Sequence, residues 1–112
     1  MTPDDQLDAA FFALAHPARR AILARLADSA ATVNELAVPF QMSLPAVSKH
    51  IRVLEEAGLI VKERDAQARP CRLNGPGLRV VADWAEAYRP VWEARFDKLA
   101  DIIGAIGEEQ HD

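Results

Sequence analysis

Pro45, Ser48, Lys49 and Arg52 are spaced so that, on a helix, they fall along one face. A hydroxyl, an ammonium and a guanidinium then share one strip rich in hydrogen-bond donors. Such a strip suits an anionic or acceptor-rich partner, and arginine can grip two acceptors at once. Val47, Ile51 and Leu54 point the opposite way and suit a core. Ser43 and Leu44 open the same helix and belong to its exposed start. Arg64, Gln67 and Arg69 form a second polar and basic group further on. The plain alternative for either group is a solvated surface, so the order of the elements that carry them matters.

Those side chains need a helix, a hairpin and a support. Ser43 caps a helix over 44–57, and Gly58 offers the left-handed stop. A shorter helix precedes it: Thr32 and Glu35 make a capping box, Val33 and Leu36 turn inward, and Pro39 closes it. Two short helices around a tight turn at 39–42 form a helix-turn-helix pattern. After Gly58 the period becomes that of a strand at 59–64, a turn-rich loop at 65–70 and a returning strand at 71–74, a candidate wing. Upstream, Leu7, Phe11 and Leu14 mark a first helix, and Pro17 begins a second that reaches about 27. Downstream, apolar residues from Leu78 to Ile106 predict one long helix over 75–106, with 107–112 as a flexible tail. That helix carries more apolar surface than one stripe needs, so one face is left for a partner. The expected fold is mainly α with a small β-hairpin: a winged helix-turn-helix of five helices in a single domain, 1–112.

Charge narrows the function. The chain is acidic overall, at −4, yet 43–74 holds six basic residues against four acidic ones. That segment is therefore +2 and the remainder −6, a basic face on an acidic body that permits nucleic-acid binding. Lys49 or Arg52 could donate to guanine O6 and N7, Ser48 could reach a base or a phosphate, and wing arginines could follow the backbone. The acidic start, the longest apolar run of seven residues at 9–15 and the single cysteine suggest a cytoplasmic protein without a membrane span. No serine-histidine-aspartate set, glycine-rich phosphate loop or carboxylate pair is legible, so an enzyme is not expected.

HPARRAILARL at 16–26, TVNELAVPF at 32–40, SLPAVSKHIRVLEEAGLI at 43–60 and RPCRL at 69–73 together resemble the ArsR/SmtB regulators. ADWAEAYRPVWEARFDKL at 82–99 extends the resemblance over nearly the whole chain. It implies a homodimeric winged-helix repressor that joins through its first and last helices. Leu7, Phe11, Trp84, Tyr88, Val91, Trp92, Leu99 and Ile102 would then line the dimer interface. It also implies that the fourth helix reads double-stranded DNA, with Arg64, Gln67 and Arg69 on the wing. The alternative is a winged-helix module that docks a protein through the same exposed helix.

The family's metal sensors carry cysteines in the third helix or histidines and carboxylates along the last. Here the third helix has no cysteine, and Asp83, Glu86 and Glu93 on the last stand without a histidine. His16, His50 and His111 are scattered, so neither a metal nor another cofactor is expected. Cys71 could be a redox thiol, its pKa lowered by Arg69 and Arg72, although a half-buried strand residue is the plainer reading. Arg19 and Arg20 lie near a helix N-terminus, where cations oppose the dipole, so ion pairs with carboxylates such as Asp8 are expected, with an approach to phosphates as the alternative. Trp84, Tyr88 and Trp92 suit a dimer core, or a pocket for an unidentified small apolar effector.

Overall fold

The computed structural model describes residues 2–64 and 67–110, with side chains through Ile106. Two compact units emerge, Met1–Val81 and Ala82–Asp112.

In the first unit, α1 (Pro3–Leu14), α2 (Pro17–Asp28), α3 (Val33–Ala37) and α4 (Leu44–Glu56) enclose one core, with a 3₁₀ turn at Val38–Phe40. Strands β1 (Ile60–Lys62) and β2 (Cys71–Leu73) pair antiparallel, with Ile60 opposite Leu73 and Lys62 opposite Cys71. The strands are shorter than expected at 59–64 and 71–74. Ile22, Leu26, Leu36, Val47, Ile51, Leu54, Leu59, Ile60 and Cys71 are buried. Burial of these side chains is the main force holding these four helices, since each is short enough to be marginal alone.

Local signals set the ends. Thr2 with Asp5 and Thr32 with Glu35 form reciprocal capping boxes. His16 caps α2, its Nδ1 accepting from the Ala18 N–H at 3.1 Å. At the end of α4, Gly58 takes φ +76°, the Gly58 N–H reaches Glu55 O and the Leu59 N–H reaches Leu54 O, both at 3.0 Å. This is the Schellman arrangement that a glycine after the cap makes possible. The closure is then locked from outside: a Cβ at Gly77 would stand 1.8 Å from the Gly58 carbonyl oxygen, so only glycine fits there.

Arg19 and Arg20 differ from expectation. Arg19 is only 8% exposed and donates from Nε to Ala13 O at 2.7 Å and from Nη2 to Phe12 O at 2.9 Å. Arg20 Nη1 donates to Leu14 O at 2.7 Å. The reason lies in the α1–α2 junction. Ala13 O would ordinarily receive the N–H four residues on, but that residue is Pro17, which has none. Leu14 O would receive Ala18 N–H, which is turned to His16 instead. The arginines supply the missing donors, and their charge faces the negative C-terminal end of α1, not only the positive start of their own helix.

The single long helix expected over 75–106 is two: α5 (Gly75–Glu86) and α6 (Arg89–Gln110), making six α-helices among the described residues. Pro90 accounts for the break, because it cannot donate to the Glu86 carbonyl and its ring crowds that oxygen. The Tyr88 N–H turns to Ala85 O at 3.0 Å instead. Arg89 bridges the junction by pairing with Glu86 and Glu93. Helix α6 continues past 106 to Gln110, while positions 111 and 112 of the expected tail, His111 among them, lie outside the described residues.

Candidate nucleic-acid interface

Helix α4 presents two chemically opposed faces. Val47, Ile51 and Leu54 are at most 2% exposed and fix its rotation against the core. That rotation leaves Pro45, Ser48, Lys49 and Arg52 outside, where with Ala46 they line one shallow concavity. Leu44 is exposed beside them. Ser43 accepts the Ala46 N–H on its Oγ at 3.3 Å, so its acceptor serves the helix start and its hydroxyl proton stays available. Proline in the first turn costs no hydrogen bond, since those N–H groups have no partner within the helix.

The hairpin flanks this helix. Lys62, which ends β1, and Arg64, two residues beyond it, come with Ser48, Ile51, Arg52 and Glu55 around a second, smaller cleft. Arg64 Nη2 donates to Glu55 Oε1 at 2.9 Å, and Arg72 pairs with Glu63 at 2.7 Å. Gln67 is exposed at the turn, and Arg69 is exposed with φ +49°, a conformation uncommon outside glycine. The structure thus brings Ser48, Lys49, Arg52 and Arg64 onto one surface with Leu44 and Pro45. Gln67 and Arg69 stand further out on the hairpin. Lys62 and Glu55 were missed in the sequence. The two-residue spacing of Lys62 and Arg64 within the strand expected at 59–64 was the available signal.

His50 flanks the exposed strip from behind. It is half-buried, with Nδ1 3.3 Å from Arg19 Nη1 and its ring centroid 4.5 Å from that of His16. Burial, then the neighbouring His16 and Arg19, hold its pKa below the ordinary value of 6.5. The helix that carries Lys49 is therefore tied to the α1–α2 junction through Arg19.

Cys71 is fully buried, and that burial pushes its thiol up; Lys62 opposes the shift and Glu55 adds to it. The expected lowering by Arg69 and Arg72 is absent from this balance, with Arg72 turned to Glu63. Of the residues expected at a dimer interface, Leu7 and Trp92 are half-buried, while Phe11, Trp84, Tyr88, Val91, Leu99 and Ile102 are exposed. The Trp84 and Tyr88 rings meet at 5.2 Å, and the Arg89 guanidinium lies 5.6 Å from the Trp92 ring centre. Among the described residues, no three His, Cys, Asp or Glu side chains gather where a metal ion could be held, and no helix is long and apolar enough to cross a membrane.

Residues 14–63 match the family described as a helix-turn-helix domain. The chain is similar to an HTH-type transcriptional regulator of Mycobacterium tuberculosis, 33% identical over 91% of this chain and 92% of that one. It also resembles the crystal structure of an ArsR family transcriptional regulator, at 41% identity and TM-score 0.72, covering 80% of this chain and 93% of the other. A third likeness is to the solution structure of a homodimeric winged helix-turn-helix DNA-binding domain from Mycobacterium bovis. That match has 25% identity and TM-score 0.61, over 78% and 82% of the two chains.

Proposed function

The chain belongs to the ArsR/SmtB family of winged helix-turn-helix, DNA-binding transcription regulators, and from that premise we propose that it acts as a homodimeric repressor on an inverted-repeat operator. The observation that carries this reading is the outward strip of Pro45, Ser48, Lys49 and Arg52 on a helix whose inner face is fixed by Val47, Ile51 and Leu54. Helix α4 enters the major groove by its N-terminal half, where Lys49 and Arg52 donate to guanine edges or phosphates and Ser48 reaches a base or the backbone. Ser43, Leu44 and Pro45 approach the groove wall. Arg64, Gln67 and Arg69 on the hairpin follow the adjacent backbone or minor groove.

A dimer supplies two such helices, about one DNA turn or roughly 34 Å apart, which selects a two-fold symmetric site. Support for a dimer comes from the exposed apolar series on α6, Val91, Phe96, Leu99, Ile102 and Ile103, and from the homodimeric M. bovis relative. Contiguous exposed apolar surface of that kind marks an interaction site. The protein acts in the cytoplasm by occupying a promoter, not by catalysis.

Fluorescence anisotropy on labelled DNA from upstream of the protein's own gene, with excess nonspecific competitor, tests the reading. Wild type should bind tightly, with an affinity that falls with salt by a slope of about 0.9 per phosphate contacted. The Lys49→Ala/Arg52→Ala double variant should lose that binding while keeping its helical circular dichroism. Binding that competitor erases, or that the double variant retains, would overturn the assignment.

A further inference from the structure

The cleft between α4 and the hairpin lies beside the base-reading strip, sharing Ser48 and Arg52 with it, and gathers three cations. Arg52, Lys62 and Arg64 line it together with Ser48, Ile51 and a single carboxylate, Glu55, around a volume of about 270 Å³. Glu55 and Arg64 are bonded at 2.9 Å, with the Arg64 side chain 63% exposed and Glu55 27% exposed. An ion pair this open to water is weak and can exchange partners. A carboxylate here is also out of place on a surface that meets DNA, since it repels phosphate.

We propose that this cleft is a phosphate seat in which Glu55 is the resident stand-in: a phosphodiester displaces it from Arg64, and Lys62 and Arg52 complete the cradle. The inference rests on reading this surface as the DNA interface, and adds Lys62 and Glu55 to the residues that set its affinity. A phosphate brings the same kind of oxygen acceptors that Glu55 offers, so Arg64 changes partner without leaving a charge unpaired. Glu55 then faces the incoming anion, with Arg52 and Lys62 close by to offset it. Free chain and complex therefore differ by one traded ion pair per protomer, and Glu55 holds affinity below what the three cations alone would give.

The test uses the full chain on the operator duplex and on an unrelated duplex, by anisotropy across a salt series. Glu55→Gln keeps the size and removes the charge; it should tighten binding to both duplexes by about 3- to 10-fold, the range expected for one exposed charge near a phosphate. Lys62→Ala should weaken both, and should lower the salt slope by about 0.9 per protomer. Repeating Glu55→Gln in an Arg64→Ala background should recover less than half of that gain, because no arginine remains to be released. Inorganic phosphate added at constant ionic strength separates the two sources of the anion. Competition in wild type that Lys62→Ala abolishes means that the seat also takes free phosphate, and no competition confines it to the DNA backbone; the seat stands in both cases. The proposal is overturned if Glu55→Gln leaves affinity unchanged or weakens it, if Lys62→Ala leaves the slope intact, or if the gain is equal with and without Arg64. Loss of binding in Lys49→Ala/Arg52→Ala together with wild-type behaviour of these variants would reject the seat alone and leave the DNA reading in place.

Discussion

Replacing Arg19 should unfasten the α1–α2 junction, and the structure sets the size of the effect. Its guanidinium donates to Ala13 O at 2.7 Å and to Phe12 O at 2.9 Å. Hydrogen bonds from a charged donor contribute about 1.5–3 kcal/mol each. Two of them would give roughly 3–6 kcal/mol, but removing the guanidinium also removes the cost of burying a charge without a carboxylate partner. The two carbonyls are not equivalent. Phe12 O keeps the Ala15 N–H at 3.2 Å, whereas Ala13 O faces Pro17 and has no backbone donor four residues on. One carbonyl is therefore stranded in Arg19→Ala, and a net loss of about 2–4 kcal/mol follows. Arg19→Met, which keeps the apolar stem, should lose nearly as much, since donors and not packing are at issue. Arg19→Lys should recover about half, because an ammonium on a flexible stem lacks the fork that serves two carbonyls. Equilibrium urea unfolding followed by circular dichroism reads these values, at one fixed protomer concentration because a dimer's stability depends on it. If Arg19→Ala and Arg19→Met both fall within about 0.5 kcal/mol of wild type, the range of an ordinary surface change, the junction argument fails.

Three further outcomes can be checked on the same protein. Gly77→Ala should destabilise by about 1–3 kcal/mol as an overpacked contact with backbone, since the new methyl meets the Gly58 carbonyl; unfolding midpoints unchanged from wild type would contradict the close approach. His50 has a native pKa below its unfolded value, so the unfolded chain binds the extra proton and stability falls as pH drops below about 6.5 toward the lowered native pKa; His50→Gln should flatten that part of the profile in urea melts run from pH 7.5 to 5. Cys71, buried and with its thiol pushed up, should react with a thiol-specific disulfide reagent at the rate of chain opening rather than of free thiol; immediate reaction in native buffer would show the thiol to be open.

Much of α4 was legible in the sequence because local rules set it. Ser43, Pro45 and Gly58 mark the ends of α4, and the spacing of Val47, Ile51 and Leu54 fixes which side turns out. The break at Pro90 was written in the chain too, but the apolar period runs through it from Tyr88 to Val91 and hides it. The partners of Arg19 could not be read from helix polarity, because the relevant dipole belongs to the preceding helix. Glu55 and Arg64 are nine positions apart across a turn and a strand, so their pairing depends on the register of β1 against the end of α4. No spacing rule along the chain carries that register, and the cleft they share was therefore invisible at the level of sequence.

Ala31 has a consequence for solubility. Its N–H donates to Cys71 O at 3.1 Å and its carbonyl accepts the Cys71 N–H at 2.8 Å, on the side of β2 away from β1. At Cys71 the returning strand is thus flanked on both sides, and a foreign peptide cannot pair with it there. The border on the other side is β1, three residues long and ending in Lys62. A border that short and that charged is a poor template for runaway self-association. The chain can thus keep an exposed hairpin without seeding fibres through it.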